Sequence, residues 1–135
     1  MVAMQYDADT DITDDNLFYT VERLRFLLSI YPTLGFSQPP KDAEVRVKWA
    51  RVTGEAPWAE AAAKAADIER AIRWLNARDW RAAFVIRAIY IVGLTERDAQ
   101  SYLKRQGEPA SRSTIHRWKI DGLDLMSAFL CGRVR

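Results

Sequence analysis

Between Trp80 and Val92 the chain offers almost no polar face, because only Arg81 and Arg87 interrupt a run of alanine, branched and aromatic residues. A helix that is apolar all round has no solvent side and must be covered by neighbours. The run is too short to cross a bilayer, which takes about 20 apolar residues. It therefore predicts a central buried helix, from Asp79 to Val92, inside a helical assembly. Gly93-Leu94-Thr95 then turns the chain at a corner.

The flanking segments supply the covering helices. Thr13, Asp14 or Asp15 is placed to cap a first helix running to about Ile30, with Leu17, Val21, Leu24, Leu28 and Tyr31 at helical spacing. Pro32 ends it, and residues 32–43, with Gly35, Pro39 and Pro40, read as a loop. Val45, Val47 and Trp49 alternate with Arg46 and Lys48, the period of a short strand. No other segment offers that strand a partner, so a helical or irregular segment is preferred over 45–52. Pro57 suits a first helical position, and Trp58, Ala61, Ala65, Ile68, Ile72 and Leu75 mark an amphipathic helix to about Ala77. The expected fold is all-α: a compact helical bundle of five or so helices, one domain over residues 13–135 behind an acidic, mobile arm at 1–12.

The last third carries the most specific pattern, a helix-turn-helix at about residues 95–120. Thr95 is a good N-cap, with Glu96 and Asp98 in the first turn where they suit the helix dipole. Ala99, Tyr102 and Leu103 share a face, and Gly107, Glu108 and Pro109 stop the helix. The turn, Gln106 to Ala110, is longer than a minimal one. Ser111 or Ser113 caps the next helix, for which Ile115, Trp118, Gly122, Leu125 and Phe129 form the expected inward stripe. Trp118 is expected to be a buried anchor against Phe84, Ile89 or Leu94. The early turns of this helix carry Arg112, Ser113, Thr114, His116, Arg117 and Lys119. Hydroxyls and cations there are what double-stranded DNA requires: short polar groups for base edges, long cations for phosphates. Arg112, Arg117 and Lys119 are expected on phosphates, Ser113, Thr114 and His116 on bases, with Arg97 or Lys104 on the flanking backbone.

Charge distribution agrees with that reading. The net charge of +2 divides into −5 over residues 1–16, which hold five aspartates and no Lys or Arg, and +7 over the rest. One cysteine, Cys131, and one histidine, His116, exclude an intrachain disulfide and a zinc finger or zinc catalytic site. Asp7, Asp9 and Asp11 resemble the start of a calcium loop, but Ile12 and Phe18 stand where that loop needs glycine and glutamate. Asp67, Glu69 and Asp79 are the only neighbouring acids with the composition of a nuclease site, and they read as solvated helix faces. Neither a catalytic set nor a cofactor motif is present, so no enzyme activity, metal or cofactor is expected. The acidic N-terminus lacks the apolar run of a signal peptide, which predicts a cytoplasmic protein without a membrane contact.

The order of features from Trp49-Ala50-Arg51 onward resembles phage antitermination proteins of the Q type, and the final third resembles sigma factor region 4. The likeness is carried by Ile68-Glu69-Arg70-Ala71, by Arg87 through Thr95, and by Ser111 through Trp118. It implies a regulator that binds a DNA site near a promoter, engages bacterial RNA polymerase or its sigma factor, and alters late-gene transcription. Arg112, Ser113, Thr114, His116 and Arg117 would then lie on the DNA-reading helix. The rival reading is a helical protein-interaction module, an inhibitor or adaptor. Whether the Arg112–Lys119 face is solvent-exposed and uncovered by the acidic arm separates the two.

Overall fold

Helix caps set the element boundaries in the computed structural model, which describes residues 18–134. The acidic arm at 1–12, the caps proposed at 13–15 and Leu17 lie outside these residues. Thr20 accepts the amide of Arg23 and starts α1, Val21–Ser29. After a short 3₁₀ turn at Tyr31–Thr33, Asp42 accepts the amides of Glu44 and Val45 and starts α2, Ala43–Thr53. Gly54, at φ +70°, ends α2 in the left-handed region that glycine tolerates. The alternating 45–52 segment is thus helical. Helical spacing turns Val45, Trp49 and Val52 toward the core and leaves Val47 63% exposed.

Pro57 sits one residue outside the place expected for it, in extended backbone ahead of a 3₁₀ turn at Trp58–Glu60. That turn leads into α3, Ala61–Arg78. Asp79 accepts the amide of Ala82 and caps α4, Trp80–Ile86, which runs on as a π-helical turn over Arg87–Val92. Thr95 and Ser111 cap α5, Glu96–Arg105, and α6, Arg112–Leu130. Among the described residues there is no strand, and the fold is an all-α compact helical bundle. None of the described helices is long and apolar enough to cross a membrane.

Two hydrophobic clusters organise the bundle. The larger joins Leu24, Leu27 and Leu28 of α1 to Ile68, Ile72 and Leu75 of α3 and to Leu123 and Met126 of α6. The smaller gathers Val85, Ala88, Ala99, Leu103 and Ile115, rimmed by Phe84, Ile89, Leu94 and Trp118. Helix α4 lies between them: Ile86 belongs to the larger and the adjacent Val85 to the smaller. That double duty is why its sequence is apolar all round. Burial fades toward its ends, with Trp80 43% and Val92 69% exposed, so the expected buried helix is buried only in its middle.

Helix α6 is shared in the same way, which corrects its expected inward stripe. Ile115 and Gly122 are buried as read, but Leu125 and Phe129 are only partly so. Leu123, Met126 and Ser127 take the buried positions of the second half, because the helix changes partners along its length. Phe129 stacks on Trp74 with ring centroids 4.7 Å apart. Ser127, the one buried polar side chain among the described residues, donates to the Tyr19 carbonyl at 2.5 Å. The Tyr19 hydroxyl in turn donates to Asp67 at 2.6 Å, linking the approach to α1 with both α3 and α6.

The α4–α6 crossing is tight. A Cβ built at Gly122 would lie 3.0 Å from Cγ1 of the fully buried Ile86 and 3.5 Å from the Ala82 methyl. Gly122→Leu should therefore destabilise the protein by about 1–3 kcal/mol through overpacking, despite the gain in helix propensity. The midpoint of urea denaturation measures it. An unchanged midpoint would mean the two helices are not held at this separation.

Candidate nucleic-acid interface

The second half of the expected pattern forms as a three-helix unit around the smaller cluster. The π-helical turn ends at Gly93, φ +91°, where the amide of Leu94 donates to the Ala88 carbonyl at 2.8 Å. Thr95 and Asp98 form a reciprocal capping box: the Thr95 hydroxyl accepts the Asp98 amide at 3.0 Å, and the Asp98 carboxylate accepts the Thr95 amide at 3.2 Å. The small Ala99 and Leu103 then face Ile115 across the helix pair.

The long turn is ordered by its own bonds. Gly107 takes φ +80°, and the Glu108 amide reaches back to the Leu103 carbonyl at 2.9 Å, closing the end of α5. Glu108 pairs with Arg81 of α4 at 3.0 Å, and the Gln100 side chain donates to the Ala110 carbonyl at 3.1 Å. The five residues from Gln106 to Ala110 are thus tied at both ends.

Ser111, rather than Ser113, caps α6 by accepting the Thr114 amide at 3.1 Å. The Ser111 hydroxyl also donates to Thr114 Oγ1 at 2.9 Å. Thr114 is partly buried and committed to the cap; Arg112, Ser113, His116 and Arg117 are exposed, with the Ser113 hydroxyl 3.1 Å from that of Ser111. Neither Arg112 nor Arg117 forms an ion pair among the described residues. Between the turn and α5 a polar cleft of about 570 Å³ opens beside the N-terminus of α6, lined by Gln100, Ser101, Lys104, Pro109, Ala110 and Ser111.

Sequence reading missed Glu96. It had only a dipole role there, but its carboxylate meets both Lys119 Nζ at 2.9 Å and His116 Nδ1 at 3.0 Å. Lys119 is 20% exposed and His116 57%, so the lysine is drawn down between the helices while the imidazole stays accessible. The bonds from His116 and then Lys119 hold the Glu96 carboxyl below the ordinary carboxylate range. The only hint in the sequence was an acid at the first position of one helix and two bases on the next.

Trp118 differs from the buried anchor expected. It is partly exposed at the rim of the smaller cluster, and Ile115, one turn earlier, fills the fully buried place against Ala88 and Ala99. The three acids weighed as a nuclease set serve separate partners: Asp67 accepts from Tyr19 and pairs with Arg70, Glu69 accepts from Tyr31, and Asp79 caps α4. No family model matches the chain, and no curated protein or solved structure matches it either.

The Glu96 bonds make the α5–α6 contact sensitive to acid. A carboxyl whose folded pKa is lowered contributes stability that is present above its unfolded value and lost as pH falls through the folded one. Melting temperature should therefore drop more steeply on acidification below pH 4.5 for the wild type than for Glu96→Gln. Parallel curves would show that Glu96 does not hold the two helices together.

Proposed function

We propose that the chain is a sequence-specific DNA-binding transcription regulator whose α6 enters the major groove by its first turns. One observation carries this reading: Arg112, Ser113, His116 and Arg117 are exposed together at the start of a long helix, on a helix-turn-helix with its own hydrophobic core. A major groove about 12 Å wide admits such a helix, and the N-terminal residues of the second helix are those that reach base edges. Arg112 and Arg117 contact phosphates on either side. Ser113 and His116 reach base edges. Lys104, beside Gln100, Ser101 and Ser111 in the polar cleft, offers a further phosphate position.

The remaining residues of the expected set act differently. Thr114 is part of the cap, and Lys119, paired with Glu96, fixes the angle at which α6 leaves α5. They position the reading helix. Bacterial RNA polymerase or its sigma factor is the partner suggested by the resemblance to Q-type antitermination proteins, and recruitment near a promoter, not catalysis, is the proposed mode of action.

Binding titrations over a range of salt concentrations test the proposal, using a duplex selected from a random pool and a scrambled control. Arg112→Ala and Arg117→Ala should each flatten the log–log salt slope by about 0.9 and weaken both duplexes alike. Ser113→Ala and His116→Ala should change the preferred base at one position by about 1–3 kcal/mol and leave the slope intact. Wild-type protein without salt-dependent affinity for any duplex would remove the DNA reading and favour the protein-interaction module.

A further inference from the structure

Away from the helix-turn-helix, a groove of about 700 Å³ lies between α1 and α2, on the half of the molecule built around the larger cluster. Phe26 and Val52 line its apolar part, and Thr20 and Ser29 add hydroxyls. Four cations line it, Arg23, Arg25, Lys48 and Arg51, against one acid, Glu22. Two of the cations are held in place. Arg23 donates to the Phe18 carbonyl at 3.2 Å with its guanidinium 5.2 Å from the Phe18 ring, and Lys48 Nζ lies 5.3 Å from the Phe26 ring. Arg25 and Arg51, one from each wall, are exposed and form no ion pair among the described residues.

We propose that this α1–α2 groove is a second nucleic-acid contact, which takes the phosphodiester backbone of the duplex that α6 reads. Like charges gathered on two facing helices repel one another, and a polyanion relieves that repulsion by replacing several counterions at once. The groove is open and its cations are spread along both walls, which suits a run of backbone better than one small anion. It offers cations and few base-reading groups, so it contributes affinity and orientation without sequence preference. This inference rests on the DNA-binding reading of α6. It adds that the bundle, and not the helix-turn-helix alone, touches the duplex.

The test is the salt dependence of duplex binding by the full chain carrying Arg25→Ala and Arg51→Ala together. The expected result is a log–log slope lower by about 1.8, twice the contribution of one contact, with affinity reduced equally on selected and scrambled duplexes. Arg25→Lys with Arg51→Lys should keep the wild-type slope, because the charge is retained. A slope unaffected by the alanine pair, while Arg112→Ala still lowers it, overturns the groove contact and leaves the α6 reading standing. Absence of duplex binding by the wild type overturns both. A third outcome assigns the groove to the chain's own acidic segment and overturns the proposal. In it the duplex slope is intact, but melting temperature falls equally in the alanine pair and in a variant with Asp7, Asp9, Asp11, Asp14 and Asp15 changed to Asn.

Discussion

The packing of α4 against α6 is the contact on which the rest depends. Gly122 lets the helices approach until Ile86 and Ala82 fill the space a side chain would need. Both helices then serve two cores, α4 through the neighbours Val85 and Ile86 and α6 through Ile115 at one end and Leu123 and Met126 at the other. A helix-turn-helix of two short helices has too little apolar surface to hold a fixed shape by itself. Here the second helix, α6, is 19 residues long, and its far half is embedded in the larger core. The bundle acts as the handle that fixes the direction of the exposed turns.

Charge refines what hydrophobic packing sets. Glu96 occupies the first turn of α5, where a carboxylate is favoured by the helix dipole, and from there it takes Lys119 and His116 of α6. Lys119 is consequently a positioning residue more than a contact held out to solvent. His116 keeps more than half its side chain exposed and stays within reach of a partner. Arg112 and Arg117 are left with their charges toward solvent, next to a helix N-terminus that already favours anions. The same division between held and exposed cations recurs in the α1–α2 groove, where Arg23 and Lys48 lean on aromatic rings while Arg25 and Arg51 do not.

Local chemistry was the legible part of the sequence. Caps at Thr95 and at one of the two serines Ser111 and Ser113, and the glycine exits at Gly93 and Gly107, follow from short-range rules, and the structure has each of them, with Ser111 as the cap. At 45–52 the local alternation has the period of a strand, and only the want of a strand partner favours the helical or irregular alternative, of which the structure has the helix. What was not legible depends on which helix meets which. The inward face of α6 changes partners midway, so a single 3.6-residue stripe misplaced Leu125 and Phe129 and missed Leu123, Met126 and Ser127. Trp118, the larger side chain, stands at the rim because the crossing gives the deepest place to Ile115, and size alone does not tell the two apart. The Glu96 interactions span twenty residues or more and have no local signature. The π-helical turn at Arg87–Val92 likewise gave no sign in the apolar run that contains it.

In the proposed function the first turns of α6 are the surface that meets DNA. Backbone amide NMR of the full chain during titration with a random-sequence duplex tests this most directly, since it reports every contact surface at once. The largest shift changes are expected to cluster at Ser111 through Arg117, with smaller ones at Lys104 and along the α1–α2 groove. Changes confined to another face, such as the exposed side of Trp80 and Tyr102, or no changes at saturating duplex, would contradict it.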